Sequence, residues 1–361
     1  MEQFIAEWKN LYDSKSGERG IYNVAAAQKQ AARWGRRDPE IHYGTNPCSE
    51  IILRPYQFCN LSEVVIREED TAKTVAEKVK LATILGTWQS TLTDFKYLRK
   101  VWKDNTEEER LLGVSLTGQF GNKFFSGKEN LKKLEETLDG LREYARQMNK
   151  EEAEKIGINE SAAITCVKPS GTVSQLVGVS SGMHPWHSQY YIRTVRGDKK
   201  DPLSTFLKEV GIPVEDDFMK PDQTYVFSFP VKAPEGSILR SDLSAIDHLN
   251  TWLVYQRAWC EHKPSITVSV REEEWMAVGA WVWEHFDEVS GISFLPHSDH
   301  SYKQAPYQEV SKEEYEDLVS RMPSSIRWAD LSFYETEDGT TGTQSLACTS
   351  DGNCELVDIT A

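Results

Sequence analysis

No run of about 18 consecutive apolar residues occurs in the 361-residue chain, so the sequence offers no membrane-spanning helix. The opening MEQFIAEWKN lacks the basic-then-apolar order of a secretory signal. Basic residues are in deficit: 41 Lys and Arg against 56 Asp and Glu give a net charge of −15, which argues against a nucleic-acid surface. An anionic small molecule is still admissible, because it needs only a local positive potential or a few backbone N–H groups. Cysteine is scarce, at six. With no export signal the cytoplasm is the expected compartment, or the host cytoplasm for a phage-encoded chain. Thiols there start out reduced, so paired cysteines point to catalysis or metal before structural staples. Internal repeats and low-complexity tracts are absent.

What is present is globular: 39% hydrophobic and 27% charged residues, enough for one large domain or two ordinary ones. Ala72, Val75, Val79, Ala82, Leu85, Trp88 and Leu92 keep three-and-four spacing, which predicts a helix over 71–92. Leu131, Leu134, Leu138, Leu141, Ala145 and Met148 predict a second. Strand-like runs follow each helix, LLGVSLTG and AAITCV, and others appear at TYVFSFP, SITVSV and GISFLP, with a helix over roughly 271–288 between the last two. Helices alternating with β-branched strands predict an α/β fold with a mostly parallel sheet. Residues 335–361, small, polar and glycine-containing, read as a flexible tail that carries Cys348 and Cys354.

The candidate chemistry begins at YGTNPCSEI. If this segment is extended, Asn46, Cys48 and Glu50 line one face, placing a thiol between an amide and a carboxylate. An inert cysteine in a polar loop explains the same letters. Cys59 and the tail pair add weight to a redox role. Cys348 and Cys354 supply only half of a four-ligand zinc site, and a mobile thiol pair that exchanges with an internal disulfide is the alternative. In CVKPSGTVSQLVG, the residues Pro169, Ser170, Gly171, Thr172, Val173 and Ser174 form either an anion cradle at a helix start or simply a helix cap. His184 and His187 are separated by Pro185, which spoils a helical metal pair, so HPWHSQYYIRTVR reads as a loop followed by a half-buried strand. Cys166 and Cys260 sit in apolar contexts and read as small core residues.

Taken together, SKSGERGIYN, NPCSEI, FCNLSEV, KPSGTVSQL, HPWHSQYYIRTVR, ISFLP and the tail ACTSDGNCEL resemble the catalytic subunit of ribonucleotide reductase. The resemblance is greatest to the monomeric adenosylcobalamin-dependent (class II) ribonucleoside-triphosphate reductases, which also occur in phages. It implies the second half of an α/β barrel over residues 1–334, with a finger loop at about 44–56 and a redox-active tail over 335–361. Cys48 would carry a thiyl radical that takes the ribose 3′-hydrogen. Glu50 would be the base on the 3′-OH, and Asn46 would hydrogen-bond the ribose. Cys59 would be one member of the reducing pair, re-reduced by Cys348 and Cys354 and then by a thioredoxin-like protein. Pro169 to Ser174 would bind the substrate phosphates, with the resemblance leaning to triphosphates.

The resemblance also carries a departure. A complete reductase has a long first half before SKSGERG, including the partner thiol of Cys59, and here only a short helix-like segment precedes it. A split enzyme completed by an N-terminal-half chain is the expectation. Diiron-type reductases carry an adjacent Tyr–Tyr pair just before the tail, whereas Tyr190–Tyr191 lies far upstream, so adenosylcobalamin is the implied radical source, with no metal held by the protein itself. The competing readings are a class I-type large-subunit fragment, a glycyl-radical enzyme, for which DGTTGT lacks the Arg-containing context, and a non-catalytic redox or regulatory fragment.

Overall fold

The computed structural model describes residues 1–15, 20–297 and 303–336. Ten α-helices occur among them: α1 (Glu2–Ser14), α2 (Val24–Ala32), α3 (Ala72–Gln89), α4 (Lys100–Glu109), α5 (Leu131–Ile156), α6 (Thr172–Val177), α7 (Pro202–Glu209), α8 (Ala245–Val254), α9 (Trp275–Glu284) and α10 (Lys312–Arg321). The strands are β1 (Gly20–Ile21), β2 (Gly44–Thr45), β3 (Ile52–Leu53), β4 (Asn60–Val65), β5 (Leu112–Thr117), β6 (Thr165–Cys166), β7 (Tyr190–Asp198), β8 (Val214–Asp216), β9 (Thr224–Lys232), β10 (Thr267–Val270), β11 (Ile292–Pro296) and β12 (Tyr307–Glu309). Contacts divide the chain into two compact units, Met1–Gln189 with Ala233–Asp299, and Tyr190–Lys232 with the described part of His300–Ala361.

The first unit contains the α/β layers. Strands β4, β5 and β6 run parallel in that order, with Asn60 opposite Leu112 and Ser115 opposite Cys166. Helix α3 crosses from β4 toward β5, and α5 from β5 toward β6, the long connections that parallel neighbours require. Both helices are well delimited. The Thr71 hydroxyl accepts the Thr74 N–H while the Thr74 hydroxyl accepts the Thr71 N–H, closing a capping box at the start of α3. Asn130 caps α5, and Gly157 ends it in the left-handed conformation. Leu134, Leu138 and Ala145 of α5 and Val75 and Val79 of α3 enter one core with β5, α8 and α9. Each fully buried aliphatic side chain there contributes about 1.5–3 kcal/mol of transfer free energy.

The apolar stripe predicted for α3 divides in two. Val75, Val79, Thr83, Gly86 and Thr87 face inward, whereas Leu81, Leu85 and Trp88, together with Leu92 just beyond the helix, stay exposed. A second sheet pairs β10 parallel to β11 and β1 antiparallel to β11.

The second unit is antiparallel throughout, in the order β12–β7–β9–β8. The mostly parallel layout expected from the sequence therefore describes the first unit and not this one. Helix α7 and β8 intervene between β7 and β9, and the chain returns through Lys220–Pro221 into a nine-residue antiparallel pairing, Tyr190 opposite Lys232 through Asp198 opposite Thr224.

Candidate active site

Strands β2 and β3 form a short hairpin, Gly44 opposite Leu53 and Thr45 opposite Ile52, whose tip holds Asn46 to Ile51. The tip is a turn and not the extended segment considered from sequence. The Ser49 N–H donates to the Asn46 carbonyl at 2.9 Å, Pro47 and Cys48 occupy the corner, and Ser49 adopts a left-handed φ of 65°. Asn46, Cys48 and Glu50 therefore diverge instead of sharing a face. Cys48 is exposed at the corner, and the Cys48 carbonyl accepts the Ser265 hydroxyl at 2.6 Å. Asn46 Oδ1 is taken by the Ile51 N–H at 3.0 Å, which leaves the amide nitrogen as the group it can offer outward.

Glu50 turns the other way and is fully buried. Its Oε1 accepts from Lys168 Nζ at 2.8 Å, and its Oε2, equally enclosed, has no hydrogen-bond partner. A buried carboxylate in a folded protein is ordinarily satisfied on both oxygens, and here Oε2 retains the capacity to accept a further donor. Burial alone would lower the Lys168 amine, but the hydrogen bond and charge of Glu50 outweigh it and hold the amine above its ordinary range.

A second lysine, Lys263, lies beneath the tip with 1% of its surface exposed. Its Nζ donates to Ser49 Oγ at 3.4 Å, and its backbone N–H donates to the Glu50 carbonyl at 3.2 Å. Burial pulls this amine down to about 8, against the opposing charge of Glu50. Gly291 makes the arrangement possible, because a Cβ there would stand 2.7 Å from Ser49 Oγ and 3.2 Å from Lys263 Nζ.

Cys59 is half-buried just before β4, packed near Leu111, Ala162 and Ala163. Burial, with Glu50 nearby, pushes its thiol up to about 12, opposed by Lys168. Cys48 and Cys59 thus both lie within electrostatic reach of Lys168. Cys166 and Cys260 are fully buried, with burial pushing both thiols well above their ordinary range. Cys348 and Cys354 lie outside the described residues.

After β6 the chain makes the turn Pro169–Ser170–Gly171 into α6. Ser170 and Gly171 are both left-handed, with φ of 57° and 52°, and the Ser181 hydroxyl ties down the Pro169 carbonyl. Gly171, Thr172 and Val173 are exposed, while Ser174 is buried with its hydroxyl on the Gly171 carbonyl at 2.9 Å. Glu63 on β4 faces the Ser170 hydroxyl, and desolvation pushes its carboxyl up against the influence of Ser170 and Lys168. His184 uses both ring nitrogens structurally, Nδ1 with the Ser181 carbonyl and Nε2 with the Thr267 N–H. A cleft of about 480 Å³ opens beside Cys48, bordered by Pro169, His184, Lys263 and Ser265. The sequence reading had no place for Lys168 or Lys263. The available signal was that each immediately precedes a proline next to a candidate segment, KPSGTV and HKPSITV.

No protein-family profile matches the chain. Among curated proteins it is similar to the adenosylcobalamin-dependent ribonucleoside-triphosphate reductase of Lactobacillus gasseri, 28% identical over 359 residues, covering 91% of this chain and 47% of that protein. It is likewise similar to the reductase of the same name from Euglena gracilis, 29% identical over 320 residues, covering 86% of this chain and 42% of that one. The crystal structure of a B12-dependent (class II) ribonucleotide reductase superposes with a TM-score of 0.76 at 23% identity, covering 92% of this chain and 50% of that chain. The class Id reductase alpha subunit of Actinobacillus ureae gives 0.53 at 15% identity, with 81% and 61% covered. The chain spans about half the length of the curated relatives it matches, and over that part it has the α/β fold of the class II reductase.

Proposed function

We propose that this chain carries the reacting centre of an adenosylcobalamin-dependent reductase that converts ribonucleoside triphosphates to 2′-deoxyribonucleotides. The observation that carries the reading is the opposed pair at the hairpin tip, an exposed Cys48 sulfur and a buried Glu50 whose Oε2 has no hydrogen-bond partner. In this reading a thiyl radical on Cys48 takes the ribose 3′-hydrogen, and Glu50 takes the 3′-OH proton. The 2′-hydroxyl then leaves as water. A thiol pair gives a proton to the departing 2′-hydroxyl, a hydrogen to C2′ and its remaining electron to the 3′-carbonyl, becoming a disulfide. Glu50 returns its proton to the 3′-oxygen, and Cys48 returns the hydrogen to C3′ to regain its radical. Asn46 donates to a ribose oxygen through its amide nitrogen, its oxygen being already taken. The turn from Pro169 to Ser174 receives the phosphates, its residues Gly171, Thr172 and Val173 being exposed.

Cys59 is one member of the reducing pair. Its high-lying thiol keeps it protonated, suited to delivering hydrogen and not to nucleophilic attack. Cys166, fully buried, is a core residue and not its partner. We assign the partner thiol to the half of the relatives' length that this chain does not match. Strand β4 supports a junction with that half, since β5 is its one hydrogen-bonded strand neighbour among the described residues. Cys348 and Cys354 would re-reduce the pair and be reset by a thioredoxin-like protein.

When bound, adenosylcobalamin supplies a one-electron oxidant for a thiol through homolysis of its cobalt–carbon bond. The residues present fit its nucleoside end. Cys48 is exposed at a cleft of about 480 Å³, lined by the apolar Ile21, Ile266 and Ile292 and by the polar Thr267 and Ser293. The test combines the chain with the half of its relatives that it does not match, adenosylcobalamin, a ribonucleoside triphosphate and a dithiol. Deoxyribonucleotide formation by the parent, abolished by Cys48→Ser with assembly intact, is the expected result. Unchanged turnover by Cys48→Ser overturns the reading.

A further inference from the structure

Among the buried charges, the ion pair between Lys168 and Glu50 has no assigned purpose. A carboxylate sealed from water keeps its charge only if a cation or several donors hold it. Glu50 has one such holder in contact, Lys168, on Oε1. Every other titratable neighbour acts from a distance. Lys263 pairs with Ser49 and not with the carboxylate, Glu63 faces Ser170 from β4, and the Cys59 and Cys166 thiols are both raised by burial. The Glu50 carboxylate thus has a single hydrogen-bond partner, and that contact is on Oε1.

Lys168 is itself firmly placed. Its backbone N–H donates to Ser115 Oγ on β5 at 2.8 Å, and its carbonyl packs so closely on Gly182 that no Cβ fits there. The next residue, Pro169, begins the turn into α6. One anchored residue therefore connects the open carboxylate oxygen to the exposed turn.

We propose that Lys168 is a positioning residue, whose ammonium grips one oxygen of Glu50 and thereby presents the other to the reacting ribose. The inference rests on the reductase reading above and adds a role that reading does not contain. It separates Lys168 from the other duty open to a lysine beside a phosphate turn, direct contact with the phosphates. A phosphate ligand governs binding, whereas a residue that aims a base governs turnover.

The experiment uses the complete enzyme. In Lys168→Met, kcat falls on the order of 100-fold, the scale of a misdirected catalytic group. The directly measured Kd for the ribonucleoside triphosphate stays within about twofold, because uniform binding is untouched. Lys168→Arg, which keeps the charge and a donor, recovers most of the lost turnover. A Kd that weakens in step with kcat/KM, or a kcat that does not change, overturns the proposal.

Two readouts do not require activity. In a crystal structure of Lys168→Met the Glu50 carboxylate leaves its present orientation, and a carboxylate that stays in place refutes the assignment. In Glu50→Gln, the Lys168 ammonium followed by nuclear magnetic resonance titrates at lower pH than in the parent, since Glu50 is what raises it. An unchanged titration counts against the pairing even if Lys168→Met does not fold. Should the parent assembly fail to reduce nucleotides, the reductase reading falls, while these two measurements still decide what Lys168 does.

Discussion

Two turns meet at the candidate site, and both hold a serine in the left-handed region, Ser49 at φ 65° and Ser170 at φ 57°. Their surroundings are opposite. Beneath Ser49 lies a sealed floor, with Lys263 on its hydroxyl, Gly291 against its back and Glu50 next in sequence. Beyond Ser170 the chain opens to solvent, and Gly171 has no atom within 4 Å of where a Cβ would sit. The same backbone device thus serves two ends. In the hairpin it throws Cys48 outward while the next carboxylate goes inward, and before α6 it brings Gly171, Thr172 and Val173 to the surface. A left-handed non-glycine residue costs about 1–2 kcal/mol, and each turn recovers that cost differently, the first through buried polar contacts and the second through little more than local hydrogen bonds.

The largest effect expected from this contrast is in thiol reactivity. At pH 8, iodoacetamide followed by peptide mass spectrometry should modify Cys48 at least about 100-fold faster than Cys59, Cys166 or Cys260, because only thiolate reacts and burial holds the other three as thiols. Comparable labelling of Cys48 and Cys59 would mean that Cys59 is open to solvent.

Next in size is the pH dependence due to Lys263. Its amine is pulled from 10.5 to about 8 in the folded chain, so between those values the unfolded chain holds a proton that the folded chain has released. Stability from this group therefore rises with pH across that window, by about 3 kcal/mol in total. Denaturation at a series of pH values should show the parent gaining on Lys263→Met from pH 8 to 10.5. Parallel curves would show that the lysine is hydrated.

The smallest effect separates the turns themselves. Ser170→Gly removes the left-handed penalty and loses little, so it should stabilise by up to about 1 kcal/mol. Ser49→Gly removes the same penalty but strips Lys263 of its hydroxyl partner, at about 1–3 kcal/mol, so it should destabilise. Equal shifts in denaturant midpoint would erase the distinction drawn here.

Much of the scaffold was legible because periodicity reports burial directly. The α5 residues Leu134, Leu138, Leu141 and Ala145 all face the core as their spacing implied. The same logic misled in α3, where apolar residues occupy two faces and only the one carrying Val75 and Val79 is covered. Helices α2 and α4 escaped the reading. The run Val24–Ala32 is alanine-rich with little amphipathic contrast, and Lys100–Glu109 is mostly polar with few apolar residues to mark a face. At the site, the motif letters located Cys48, Glu50 and the turn after Cys166, but the sense in which each points was not readable. Whether residues two apart share a face depends on Ser49 entering the left-handed region, and nothing in NPCSEI announces that. The two lysines were invisible for a different reason: their meaning comes from partners more than 100 residues away, Lys168 from Glu50 and Lys263 from Ser49.

Lys168 and Pro169 are consecutive, so the residue whose ammonium holds the Glu50 carboxylate is also the one that leads into the turn before α6. A residue so placed behaves as a caliper. Under the reductase reading proposed above, a ligand whose sugar hydroxyls and phosphates are spaced otherwise would satisfy one jaw or the other but not both, and discrimination by molecular length would follow from that one shared residue.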